Sequence, residues 1–282
     1  SWAIEYLKPI AYTDFAVDFN AYKAWYEANK DKPLAQIRTE SLRSVLDELK
    51  NAKGASLDSR LELLDRGRIF IDQPETIALA RDSGLIDRLI ALIQTPGSRN
   101  DTVREATSIL CNMPLDVATL DQRIMPLLNH KDRDVRTRAL NILGARAYLP
   151  ALDRLLDMLT AAAAGPFPQR RSELWDIAGA LSDLKNPRAI PTMIAVIDAD
   201  NTYDTVYGVG YFGLSKLTGV SYDEAHDGAW WRTWWENNKQ RFGDDIAKLE
   251  IPTLASTTNR RKSASRPTAP PSASPAADAA AP

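Results

Sequence analysis

The chain has 282 residues and a net charge of −2, with 44% hydrophobic and 26% charged residues. This length exceeds the usual single core and calls for two compact domains or one elongated array of repeats. No apolar run approaches the roughly 18 residues needed to cross a bilayer. One cysteine, Cys111, excludes an internal disulfide framework, and with only His130 and His226 beside it a Cys/His zinc cluster is not expected. Arg260, Arg261, Lys262 and Arg266 lie in the last stretch with Asp278 as the sole acid there, so the remainder carries 31 basic and 36 acidic residues, or −5. That balance argues against binding nucleic acid by phosphate neutralisation. The first residue is Ser1, which fits trimming or removal of a targeting segment, and the expectation is a soluble chain of the cytoplasm or periplasm.

Residues 1–38 read as an aromatic helical motif containing Trp25-Tyr26-Glu27-Ala28-Asn29-Lys30. Residues 39–220 read as repeated helix pairs. Leu42, Val45, Leu46 and Leu49, then Leu85, Ile86, Leu89 and Ile90, follow helical periodicity. Asp101, Ala106, Ile109 and Leu110 recur 33 residues later as Asp134, Ala139, Ile142 and Leu143, and Leu181 and Leu184 recur at the same step as Leu214 and Leu217. The longer step from Leu143 to Leu181 places an insertion at Ala161 to Pro168. Asp132 and Asp134 put negative charge at a helix start, Gly144 is the expected break, and Pro150 opens a helix carrying Leu152, Leu155, Leu156 and Leu159. Pro191 opens another with Ile190, Met193, Ile194 and Ile197. One hairpin of this length cannot shelter its apolar stripe alone, so stacking on neighbours is expected.

Asp134-Val135-Arg136, Ala139 and Leu143-Gly144, followed by a proline-initiated amphipathic helix, resemble the HEAT repeat and its phycobilisome-lyase-type variant. The resemblance covers roughly Leu85 to Gly219. It implies an all-α, right-handed solenoid of antiparallel hairpins of the HEAT/armadillo kind, with Asp134 and Arg136 in a ladder between successive hairpins.

Residues 221–252 form a tryptophan-rich closing segment, Trp234-Trp235-Glu236-Asn237-Asn238-Lys239 echoing the first motif, and Asp14, Asp18 and Tyr22 matching Asp223, Asp227 and Trp231 at the same offset. At ~100° per residue, Trp230, Trp231, Trp234 and Trp235 span an arc of about 140°. Burial against the last hairpin, with indole N–H groups and the Asn amide partnered, is one reading; an exposed tryptophan rim gripping a partner is the other. Leu217 to Trp235 resembles segments closing HEAT arrays in bacterial proteins, and by analogy the first copy closes an array preceding Ser1. Residues 253–282, rich in Ala, Pro, Ser and Thr, read as a disordered tail. Its Arg260 to Lys262 cluster reads as stray charge, with contact to an acidic surface as the competing reading.

The sequence reads as containing no glycine-rich phosphate loop, no G-x-S-x-G elbow and no H-E-x-x-H pair. His226 with Asp223, Glu224 and Asp227 reads as helix capping, Ser221 and Glu224 standing at capping-box spacing, rather than as a metal site. Cys111 reads as a buried thiol, and His130 as a C-terminal residue interacting with helix carbonyls. The expectation is a non-enzymatic protein-binding scaffold or structural subunit, with no cofactor and no small-molecule ligand. Candidate partner-binding residues are Trp230, Trp231, Trp234, Trp235, Arg123, Arg154 and Arg188. The alternative, resting on the resemblance alone, is a bilin-lyase-like or DNA-base-glycosylase-like enzyme.

Overall fold

The computed structural model describes Ala11 and residues 18–67, 73–165 and 169–255, and all regular structure among them is helical. The tail beyond 255 and the insertion residues 166–168 lie outside the described residues.

Helix α1 spans Phe19–Asn29, α2 Leu34–Asn51, α3 Gly54–Gly67, α4 Pro74–Asp82, α5 Leu85–Gln94 and α6 Asn100–Asn112. The next, α7, joins Val117–Thr119, a wider π-helical stretch Leu120–Ile124 and a 3-10 segment Met125–Asn129. Helix α8 is Arg133–Ala145, α9 Leu152–Ala164, α10 Gln169–Asp183 and α11 Ile190–Ala199. Helix α12 joins Tyr203–Thr205, a π-helical stretch Val206–Leu214 and Ser215–Thr218; α13 is Gly228–Asn238, and α14 Asp244–Ala247 follows a 3-10 turn. The expected boundary between residues 38 and 39 falls inside α2.

The helices pack in two rows. In one, α3 packs on α6, α6 on α8, α8 on α10 and α10 on α12. In the other, α9 packs on α11 and α11 on α13, and polar pairs extend this row back through α7 to α5. Between the rows runs a continuous core of leucine and isoleucine, in which the apolar stripes read from sequence are buried: Leu42, Val45, Leu46 and Leu49 in α2, Leu152, Leu155 and Leu159 in α9, and Ile190, Met193, Ile194 and Ile197 in α11. At about 25 cal/mol per Å² of apolar surface removed from water, this burial is the main force holding the rows together.

Local chemistry sets where the helices begin and end. The Asp132 side chain accepts from the Asp134 N–H at 2.9 Å and caps α8. Gly144 does not break that helix, which runs to Ala145; the turn follows at Ala147, in the left-handed region at φ 47°. What Gly144 provides is close approach: a Cβ there would sit 3.2 Å from the Asp183 Cβ and 3.3 Å from the Ala180 Cα of α10. Lys185, also left-handed at φ 53°, ends α10 at the equivalent place.

His130 acts opposite to expectation. Its Nδ1 accepts from the Asp132 N–H at 3.1 Å, and it is Arg136 that donates to the carbonyls of His130 and Lys131, at 3.0 and 3.2 Å. Arg136 also pairs with Glu173, and Arg133 with Asp176 at 3.2 Å, tying α8 to α10. The α8 to α10 rung thus rests on Arg133 and Arg136 with Asp176 and Glu173, whereas Asp134 contributes charge to the first turn of α8.

Candidate interaction surfaces

Helix α13 begins at Gly228 because the Asp227 carboxylate accepts from the Trp230 N–H at 2.8 Å. The cap is Asp227, not the Ser221 and Glu224 box, and Asp223 instead accepts from the Ala225 N–H at 2.8 Å in the preceding turn. At the other end the Asn238 amide donates to the Trp234 carbonyl at 2.8 Å.

The four tryptophans of α13 divide into two pairs. Trp231 and Trp235 are sealed in the core at 1% and 0% exposure. Their indole N–H groups have no acceptor among the described residues, contrary to the expected partnering, so this pair is seated by apolar area and packing. Close approach to α11 makes the seat: a Cβ on Gly228 would lie 2.3 Å from the Asp198 Cα. The Gly228 N–H donates to the Asn201 side chain at 2.9 Å, and Arg232 pairs with Asp198 at 2.7 Å.

Trp230 and Trp234 are half-buried and line an open groove of about 540 Å³ with Ala225, Asp227, Ala229, Thr233, Asn237 and Asn238. The His226 ring stacks on Trp230, with centroids 3.6 Å apart and planes within 16°. Trp231 lies edge-on to both Trp230 and Trp234, so the buried pair buttresses the groove pair.

The three candidate arginines do not line this groove. Arg123 pairs with Asp87, Arg154 with Asn129, and Arg188 with Asp153 at 3.0 Å. Each joins one helix of the second row to its predecessor, and Arg232 with Asp198 continues the series. Asp87 and Arg123, Asp153 and Arg188, and Asp198 and Arg232 are separated by 36, 35 and 34 residues. These pairs are half-exposed, where an ion pair contributes about 0–1 kcal/mol.

Sequence reasoning missed two features. A cavity of about 280 Å³ lies among α7 to α10, floored by Leu128, Leu140, Met158 and Ile177, with Arg133, Arg136, Thr137, Glu173 and Asp176 at its polar side. There the Thr137 hydroxyl donates to Asp176 at 2.8 Å, and two guanidinium groups face two carboxylates, so the charges balance. The second is a row of tyrosines on α12. Tyr203, Tyr207 and Tyr211 stack with centroids 5.9 and 5.3 Å apart and planes within 8° and 5°. Tyr222, Phe212 and Trp175 back the row.

Contrary to the sequence reading, the same segment does carry a phosphate-loop spacing, G-x-G-x-x-G at Gly208, Gly210 and Gly213. All three stand inside α12. A Cβ on Gly208 would overlap the Trp175 ring at 1.9 Å, one on Gly213 would press on the Met193 sulfur at 2.8 Å, and one on Gly210 would touch Tyr222 at 3.6 Å. They admit neighbouring side chains rather than shaping an anion cradle. Cys111 is pushed up to about 11 by burial, so its thiol is protonated near neutrality and is a poor nucleophile there.

No family model, curated protein or solved structure matches this chain. None of the described helices is long and apolar enough to cross a membrane.

Proposed function

We propose that the chain is a non-catalytic interaction scaffold, a right-handed α-solenoid of HEAT-like antiparallel hairpins closed by α13, with a protein partner held in the Trp230 and Trp234 groove. The pairs between successive second-row helices support the solenoid reading. The observation that carries the functional reading is the division of the α13 tryptophans: two sealed and structural, two half-buried around an open groove. Tryptophan rings on a rigid helix offer large contact area at low entropic cost, which is why tryptophan is enriched among residues that dominate binding energy.

The test pairs two double variants. Replacing Trp230 and Trp234 by Ala is expected to leave the helical content and cooperative unfolding intact while abolishing a stoichiometric complex with a protein partner, measured by sedimentation. Replacing Trp231 and Trp235 by Ala is expected to lose the fold first. Undiminished partner binding by the Trp230 and Trp234 variant, or bilin transfer or base excision by the purified chain, would contradict this reading.

A further inference from the structure

The tyrosine row on α12 plays no part in the scaffold reading and is not explained by packing alone. Tyr203 and Tyr211 remain 57% and 46% exposed although they stack on Tyr207. A row of parallel rings on a buttressed helix is costly to leave in water and suits a ligand with flat apolar faces and little conformational freedom to lose. Proline-rich segments have these properties, because their fixed φ preorganises a polyproline helix that docks on aromatic surfaces.

Where the described chain ends identifies a source for such a segment. Leu254 and Ala255 line a small cavity with Ala199 and Asp200 at the end of α11. Asp200 in turn accepts from the hydroxyls of Thr202 and Thr205, at 3.0 and 2.8 Å, where α12 starts. The chain therefore leaves the described region beside the end of α11, and Asp200 there stands three residues before Tyr203 in sequence. Residues 256–266 can span about 35 Å when extended, and α12, over 203–218, is about 24 Å long. The next residues are Pro267, Pro270, Pro271 and Pro275, separated by Ala, Ser and Thr.

Charge agrees with length. Arg260, Arg261, Lys262 and Arg266 precede the prolines, and the acids Asp223 and Glu224 directly follow Tyr222, which backs the ring row. The Tyr222 hydroxyl, packed edge-on to Tyr207 and Tyr211, is held above its usual range by burial first, with the neighbouring Glu224 and Asp223 carboxylates contributing.

We infer that the tyrosine row of α12 is the docking site of the chain's own proline-rich tail, with the prolines on Tyr203, Tyr207 and Tyr211 and the basic cluster toward Asp223 and Glu224. Tethering supplies a local tail concentration in the millimolar range, enough to hold a contact that would be weak between separate molecules.

Trypsin provides the test on the full chain, because bonds after Arg260, Arg261 and Lys262 lie in the tail. Cleavage there is expected to be about fivefold or more faster in Tyr203→Ala/Tyr211→Ala than in the native chain, since proteolysis follows the population of the open form. Pro270→Ser/Pro271→Ser/Pro275→Ser, altered only in the tail, is expected to show the same acceleration with an unchanged circular dichroism spectrum. It decides the question if the tyrosine variant misfolds. Equal cleavage in the native chain and the proline variant would overturn the inference. Protection that appears only at high protein concentration would overturn it too, by assigning the contact to the tail of a second copy.

Discussion

Helices α1 and α13 are two uses of one sequence pattern. Phe19–Asn29 and Gly228–Asn238 have the same length, start after Asp18 and Asp227, and end at Lys30 and Lys239. Asp18 accepts from the Asn20 and Ala21 N–H groups, and Asp227 from that of Trp230. Asn29 donates to the Trp25 carbonyl at 2.7 Å, as Asn238 does to that of Trp234 at 2.8 Å, and Glu27 pairs with Lys30 as Glu236 does with Lys239. Beyond the helix the resemblance stops. Trp231 and Trp235 are sealed against the array, whereas Tyr22 and Trp25 of the first copy pack with Ala11 in a separate cluster and Tyr26, the counterpart of Trp235, is 48% exposed.

One pair of aligned residues accounts for the difference. Gly228 lets α13 touch the α11 backbone at Asp198, and the first copy has Phe19 in its place, 65% exposed. A helix carrying Phe there lacks the close backbone approach by which α13 seats on α11. Local caps and ion pairs specify that a segment is a helix; a single small residue at a crossing specifies what it can rest on.

The largest effect expected from breaking this comparison is at the buried ring. Trp235→Ala should cost about 3–5 kcal/mol of unfolding free energy, and Tyr26→Ala should stay within about 0.5 kcal/mol of the native chain, both read from urea titration. Next comes the crossing itself. Gly228→Phe should lose about 3 kcal/mol by overpacking against Asp198 and shift tryptophan emission to the red, while Phe19→Gly should change stability by no more than about 1 kcal/mol. A tolerant Gly228→Phe would remove the explanation offered for the two fates.

Removing the caps should separate the copies more finely. Asp227→Ala should lower global stability by about 1 kcal/mol, because α13 unfolds with the array, whereas Asp18→Ala should fray α1 without moving the main transition. The smallest effect belongs to the surface pairs: Glu236→Gln and Glu27→Gln should each cost about 0.5 kcal/mol or less. Thermal scans at low salt would register a disparity between them.

What the sequence conveys, and what it withholds, follows from the range of each signal. The leucine stripes of α2 and α9 and the isoleucine stripe of α11 are local periodicities, and all were legible. The duplicated aromatic motif was legible for the same reason, as was the helical class. The ion pairs between helices were not, because Asp87 and Arg123 lie 36 residues apart and Asp153 and Arg188 lie 35, with no local pattern to join them. The division of the four tryptophans depends on what crosses Gly228, so an arc of about 140° could be drawn from periodicity without showing which part of it would be covered. Gly144 was read as a break because glycine disfavours a helix interior, yet packing against Ala180 and Asp183 determined its place. The tyrosine row escaped notice because its rings align only when α12 continues through Gly208, Gly210 and Gly213, and their contacts with Trp175, Tyr222 and Met193 are not local in sequence.

Native-state hydrogen exchange, resolved by residue, compares the two copies in one experiment. The account predicts that the α13 amides around Trp231 and Trp235 exchange only when the array unfolds, with protection equal to that of α11, while the α1 amides exchange through local opening at rates orders of magnitude faster. Equal protection in α1 and α13, or α13 amides exchanging ahead of α11, would contradict the claim that the second copy is part of the core and the first is not.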